Sequence, residues 1–264
     1  MSEKNDNANA KPKVNNIASV GIIYRESNPA EIFLEEKDGG YPVKLFQNCL
    51  CPIGGNWIGE IAKSDKNTFS TFRREIEEEL SLSNGAASNL ELNLLGIISK
   101  EKEHLVSHGQ RKPEARDAES LSKVKEEIKK LAAAFGDFMI SVPKSLLDQA
   151  DPKNKLNGLS SLVSYWLVPL SEESWQTLKA LQKKYSNLSN ESQTRITALD
   201  EIVKTKKRIA FGHDRAFQKF FLSRGLNDAN KMPIVSDIGV EEIGQPLDSY
   251  QEYLVGFEIS KKPL

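Results

Sequence analysis

The sequence predicts an α/β fold, a mixed sheet covered by helices on both faces. Three observations predict it. Apolar runs of strand length recur at residues 17–24, 31–35 and 162–170. Between them lie segments whose apolar residues return every three or four positions, the helical period. The two kinds alternate irregularly rather than as a strict βα repeat, and that favours a mixed sheet over a purely parallel one.

Taken in order, residues 1–15 are polar, lack aromatic side chains and read as a disordered tail. Residues 17–24 and 31–35 read as two strands joined by a turn at Ser27-Asn28-Pro29. A third apolar run, 43–53, leads into Gly54-Gly55, and 56–66 reads as a loop. Asn67 or Thr68 then caps a helix over 68–81, in which Phe69, Phe72, Ile76 and Leu80 make one narrow apolar stripe. Ser83-Asn84-Gly85 supplies its stop. Further on, the pattern predicts a strand at 90–100, a charged amphipathic helix at 119–134 and a short strand at 137–142. The strand at 162–170 is followed by a helix at 172–186 behind Ser171, a polar linker at 187–194 and a short ambiguous segment at 196–202. A helix of aromatic and basic residues at 214–222 and a last strand at 253–259 complete the reading. In domain terms this is a tail (1–15), one domain (16–224) with a helical insertion around 101–135, and a C-terminal extension (225–264) packed on the same domain.

Composition narrows the function classes. Hydrophobic residues make 39% of the 264 and charged residues 28%, ordinary values for a globular protein able to bury a full core. A net charge of −1 gives no reason to expect nucleic acid or an anionic membrane as partner. No apolar run approaches the ~20 residues of a membrane span, and the polar N-terminus lacks the apolar core of a secretory signal, so a cytoplasmic protein is expected. Oligomeric state is left open, with a homodimer as candidate. The two cysteines, Cys49 and Cys51, fall on one apparent strand and read as core residues; a catalytic thiol at Cys51 is the alternative. A zinc site would have to draw on His104, His108 and His213 alone.

The most informative segment is Arg74-Glu-Ile-Glu-Glu-Glu79. On a helix Glu75, Glu78 and Glu79 stand at i, i+3 and i+4, where like charges cost about 0.2–0.5 kcal/mol per pair. They also fall in the last turns, where the macrodipole disfavours anions. Such crowding calls for a compensating cation, and a hard divalent ion with oxygen ligands, Mg²⁺ before Ca²⁺, is the candidate.

With Gly54-Gly55 ahead of it, this segment resembles the signature of the Nudix hydrolases, Gly-x5-Glu-x7-Arg-Glu-(aliphatic)-x-Glu-Glu-x-Gly-(aliphatic). Gly54 and Glu60 keep the first spacing, residues 74–79 match the helical part throughout, and Leu82 fills the last aliphatic place. Two departures stand out. Thirteen residues rather than seven separate Glu60 from Arg74, so that strict spacing places Lys66 at the acidic position, and Ser81 replaces the glycine after the helix. A Ser164-Tyr-Trp-Leu-Val-Pro169 strand and an Ala210-Phe-Gly-His-Asp214 segment extend the likeness over about 17–224.

The resemblance implies a Nudix-like α/β/α sandwich and hydrolysis of a phosphoanhydride in a nucleoside diphosphate linked to another moiety, with Mg²⁺ or Mn²⁺ as cofactor. It implies that Glu78 and Glu79 bind the metal, that Glu75 shares ligation or activates water, and that Arg74 holds a box glutamate by an ion pair. Gly54 and Gly55 would let the backbone approach metal and phosphates, with a Gly55 carbonyl as ligand. Glu172, Glu173, His213 and the basic run 204–208 are further candidates, each with an ordinary structural reading beside it: helix capping, a buried histidine, a solvated turn. Two other readings stay open: a nucleotide-binding sensor on the same fold without turnover, and a prenyl-diphosphate isomerase using Cys51, which would need metal-binding histidines near the thiol.

Overall fold

In a computed structural model of the chain, residues 14, 16–58, 65–82, 113–185, 187–189 and 192–244 are described. The first two predicted strands form a hairpin, β1 (Asn16–Arg25) and β2 (Asn28–Glu36), whose turn is only Glu26-Ser27. Asn28 and Pro29, expected in the turn, open β2 instead, where a missing N–H at a strand start is tolerated.

Within the hairpin, β1 and β2 pair directly at the turn end, from Ile23↔Phe33 to Arg25↔Asn28. Farther from the turn, β3 (Leu50–Cys51) pairs with β2 and β4 (Ile53–Asn56) pairs with β1. Pro52, with no N–H to give, stands where the chain transfers from one partner to the other. The single strand expected at 43–53 is therefore not formed. Lys44–Phe46 is a 3-10 turn, Asn48 is left-handed at φ 57°, and the run is apolar because Val43, Leu45 and Phe46 are buried from that turn. Cys49 precedes the strand, so it does not share a strand face with Cys51. Gly54-Gly55, expected as a loop, lie inside β4 with Ser19 and Val20 of β1 as partners.

The remaining strands build outward. β5 (Ala133–Val142) is antiparallel to β6 (Leu159–Leu170), and β6 runs parallel to β1 along its whole length. β7 (Gln193–Ala198) pairs with β2, and β8 (Gly239–Gly244) pairs with β5, both antiparallel. The result is a mixed sheet of order β3-β2-β1-β6-β5-β8, with β4 on β1 and β7 on β2. Central strands are buried on both faces, hence their continuous apolar runs.

Helices cover both faces. On one side α1 (Thr68–Glu79), α2 (Ala115–Leu131) and α4 (Glu172–Tyr185) bury Phe72, Ile76, Val124, Ile128, Trp175 and Leu178 against Ile23, Phe33 and Trp166. On the other, α3 (Lys144–Ala150), α5 (Leu199–Thr205) and α6 (His213–Ser223) pack Leu147, Ile202, Phe217 and Phe220 against Ile22, Ile32 and Tyr165. Adjacent residues such as Ile22 and Ile23 feed opposite cores, as a period of two requires.

Several boundaries move. β5 starts at Ala133, so the helical insertion ends at Leu131 rather than 135; a register shift between Ala134 and Gly136 interrupts the alternation that marks a strand. Residues 187–189 and 192–194 of the expected linker are structured. Leu188 and Ser189 are buried, and Asn187 Oδ1 accepts from the N–H groups of Ser189 and Thr194, so its polar composition satisfies backbone rather than solvent. The ambiguous segment at 196–202 splits between β7 and α5. α3 was not expected. Beyond α6, Ala229, Met232 and Ile238 join the second core. The tail 1–13, the stop at 83–85 and the strands expected at 90–100 and 253–259 lie outside the described residues. Among the described residues no helix is long and apolar enough to cross a membrane.

Candidate active site

α1 is fixed at both ends. At its N-terminus Asn67 accepts the Ser70 N–H at 2.8 Å while the Ser70 hydroxyl accepts the Asn67 N–H at 2.9 Å, a reciprocal capping box. The Thr68 carbonyl accepts from Ser19 Oγ at 2.7 Å, and Ser19 accepts from Trp166 Nε1 at 2.9 Å, tying the first turn to β1 and β6. Replacing Asn67 with alanine is expected to cost about 1 kcal/mol in urea unfolding. At the other end Leu80 is extended (φ −76°, ψ 112°) and bridges to Ser189, while the Ser81 N–H donates to the Leu188 carbonyl at 3.0 Å. Ser81 has no positive φ. The chain leaves the helix as an extended segment, and a serine there carries no strain.

The carboxylates then diverge. Glu77 leans on α2, pairing with Lys129 and Lys125, and Lys125 Nζ also donates to the Glu77 carbonyl at 2.9 Å. Burial works to raise the Glu77 pKa, but the two lysines hold it below the ordinary value. An ammonium on a last-turn carbonyl also answers the helix dipole. Glu79, only 3% exposed, turns to the sheet, where its Oε2 accepts the Gly54 N–H at 2.9 Å. Glu75 lies against Gly55 so closely that a Cβ there would stand 2.6 Å from its carboxylate. Glu78 is more open than Glu75 and Glu79, its side chain 39% exposed.

Arg74 organises this group. Its Nη1 donates to Glu75 Oε1 and, at 3.0 Å, to Glu78 Oε2. Its Nη2 donates to the Asn56 carbonyl at 2.8 Å and to Asp65 Oδ2 at 2.9 Å, and its Nε meets both Asp65 oxygens at 3.1 Å. Burial opposes the charge, yet the hydrogen bonds that Arg74 donates to Asp65 and the charges of Glu75 and Asp65 outweigh it and raise the pKa above the usual arginine value. Of the like-charge crowding expected to need an outside cation, Arg74 answers Glu75 and Glu78, while Lys125 and Lys129 pair with Glu77 beside that group.

Among the described residues no three acidic, histidine or cysteine side chains converge as a ready metal cluster. In kind, however, the donors suit a hard cation. The carboxylates of Glu75, Glu78 and Glu79 and the backbone of Gly55 are all oxygen ligands, and the missing Cβ of Gly55 leaves the space that Glu75 uses.

Sequence-predicted residues elsewhere have other partners. Glu172 accepts two hydrogen bonds from Arg25 at 2.8 Å and one from Ser27 at 2.9 Å; those bonds draw its pKa down to about 2. Glu173 is exposed in the first turn of α4. That turn is capped from α2, where Glu127 accepts from the Ser171 N–H at 2.8 Å and the Ser174 hydroxyl at 2.6 Å. His213 is buried against the Tyr165 hydroxyl on the opposite face of the sheet. In the basic run Lys207 pairs with Glu36 and Arg208 Nη2 donates to the Leu45 carbonyl at 3.1 Å, while Lys204 and Lys206 are exposed. Cys51 is buried opposite Glu35. Glu60, His104 and His108 lie outside the described residues.

No protein-family model matches the chain, and none of the curated proteins matches it.

The grouping of Gly54, Gly55, Arg74, Glu75, Glu78 and Glu79 therefore rests on geometry. Sequence reasoning missed Asp65, 2% exposed, and the Asn56 carbonyl, which bind the far side of the same guanidinium. The signal for Asp65 was present: it is one residue before Lys66, the position that strict spacing singles out.

Proposed function

We propose that the chain is a Nudix-type hydrolase that uses Mg²⁺ or Mn²⁺ to cleave the phosphoanhydride of a nucleoside diphosphate linked to another moiety. One observation carries this reading. A glycine pair in β4 lies directly against two buried carboxylates of α1, with a partly buried arginine holding a third and more open one. Glu75, Glu78 and Glu79 would hold the cation with the Gly55 carbonyl. When bound, the cation supplies charge neutralisation on the pyrophosphate. The residues supply the rest. Glu79 is oriented by the Gly54 N–H, Glu75 is held by Arg74 Nη1 as the acceptor for a proton from water, and Glu78 faces solvent and the incoming phosphates. Water adds to one phosphorus, the bridging P–O bond breaks, and a nucleoside monophosphate leaves with the phosphorylated second moiety.

The second reading, a nucleotide-binding module without turnover, is favoured by the same guanidinium, since Arg74 already neutralises Glu75 and Glu78. Phosphate release from nucleoside triphosphates, dinucleoside polyphosphates, ADP-ribose-like and sugar-linked diphosphates separates the two. Turnover is expected to require Mg²⁺ or Mn²⁺ and to fall about 100-fold or more in Glu78→Gln, whose exposed side chain makes it safe for folding. Silence across that panel, with nucleotide binding retained, would favour the module.

A further inference from the structure

Arg74 is contacted on two sides that differ in burial. Toward solvent a single nitrogen, Nη1, meets Glu75 and Glu78. Behind it, Nε and Nη2 are bound by Asp65 and the Asn56 carbonyl. The Asp65 side chain is 2% exposed and is itself fixed, since Thr71 Oγ1 donates to its Oδ2 at 3.2 Å. Trp57 Nε1 donates to the Asp65 carbonyl at 2.9 Å, pinning the backbone as well. In the described structure the acid that meets this arginine is Asp65, the neighbour of Lys66; Glu60 lies outside the described residues.

We propose that Asp65 is a positioning residue of this site: it anchors Arg74 from behind, so that only Nη1 is presented to Glu75 and Glu78. The inference rests on the metal-dependent reading above. Its physical content is a competition. A guanidinium has five N–H donors in a rigid fork and binds carboxylates in pairs whenever it is free to turn. With Asp65 engaging Nε and Nη2, the fork cannot close on the α1 carboxylates, and the Glu78 contact with Nη1 can yield when a cation binds. Without that anchor Arg74 turns toward Glu75 and Glu78 and competes with the cation for their oxygens.

The test is Mn²⁺ binding to the substrate-free protein, followed by the electron paramagnetic resonance of free Mn²⁺, in wild type, Asp65→Asn and Thr71→Val, with thermal unfolding as a folding control. Asp65→Asn is expected to weaken Mn²⁺ binding about 10-fold and to raise the Mg²⁺ concentration for half-maximal turnover by a similar factor, with kcat largely recovered at saturating metal. Thr71→Val leaves every charge in place and removes the anchor contact together with the Thr71 hydroxyl's 3.3 Å bond to the Asn67 carbonyl, which the thermal-unfolding control reads separately. It is expected to weaken binding about 3-fold, and it serves as the test should Asp65→Asn fail to fold. Weakening by Asp65→Asn with no change in Thr71→Val would mean that the Asp65 charge acts through space, and would overturn the positioning role. Unchanged Mn²⁺ affinity in both variants would overturn it too, leaving the metal site intact. Absence of Mn²⁺ binding by the wild type would overturn the metal reading and this inference with it.

Discussion

Gly55→Ala is expected to fold and to lose at least about 100-fold of the proposed turnover, whereas Gly54→Ala is expected to fold poorly or not at all. The two glycines are neighbours in β4, and what a methyl group would meet at each differs. At Gly55 the added Cβ would stand 2.6 Å from the Glu75 Cδ and Oε2, the far end of a flexible side chain. Glu75 swings aside at small cost, but it leaves the position in which Arg74 holds it, and a displacement of about 1 Å in a catalytic group costs on the order of 100-fold. At Gly54 the Cβ would stand 2.2 Å from the Ser19 carbonyl oxygen and 2.7 Å from Val20 Cα, both backbone atoms of β1, at a φ of 137° that only glycine adopts readily. Backbone strain of about 1–3 kcal/mol adds to overpacking of about 1–3 kcal/mol, a large share of the 5–15 kcal/mol that holds a typical domain. Urea unfolding of both variants beside phosphate release from the best substrate checks the contrast. A Gly55→Ala protein with near-wild-type turnover would remove Glu75 from the chemistry.

That contrast also shows where the sequence was readable. The helix of Phe72, Ile76 and Leu80 announced itself because one amphipathic element carries its whole signal locally. That Glu75 and Glu79 share that helix was legible for the same reason, whereas the double-sided cover of the sheet was read from the irregular alternation of strands and helices. What the sequence hid was pairing between distant segments. Nothing within 43–56 reveals that Pro52 divides β3 from β4, or that the glycine pair is strand rather than loop, because β2 and β1 supply the partners. Likewise the divergence of Glu77 toward Lys125 and Lys129, and of Glu79 toward the Gly54 N–H, depends on α2 and β4 packing on either side of one helix. A like-charge cluster on a helix predicts that compensation exists; tertiary structure decides whether the chain or a ligand provides it.

The largest pH effect on stability is expected from His213, far from the carboxylates. It is buried against the Tyr165 hydroxyl, next to Phe211 and the buried Asp214, with the Lys37 ammonium near enough to disfavour a second positive charge. Burial, and then Lys37, push its pKa down to about 3 from an ordinary 6.5. The folded protein therefore keeps His213 neutral where the unfolded chain binds a proton. Stability is full above about pH 6.5 and declines through the window from 6.5 toward 3, with a slope of about 1.4 kcal/mol per pH unit. From pH 7 to 5 the loss is about 2 kcal/mol. Carboxylates held below their ordinary values, such as Glu36, Glu77 and Glu127, add their own losses only at more acid pH, below about 4.5. Asp214 works in the opposite sense: burial raises its pKa, so the proton it takes up first in the folded state favours folding as pH falls. His213→Gln keeps a hydrogen-bonding partner for Tyr165 and removes the titration. Urea unfolding at pH 7, 6 and 5 is expected to show a falling free energy in the wild type and a nearly level one in the variant. Equal slopes in the two proteins would mean that His213 is protonated in the folded state and that another group sets the acid limit.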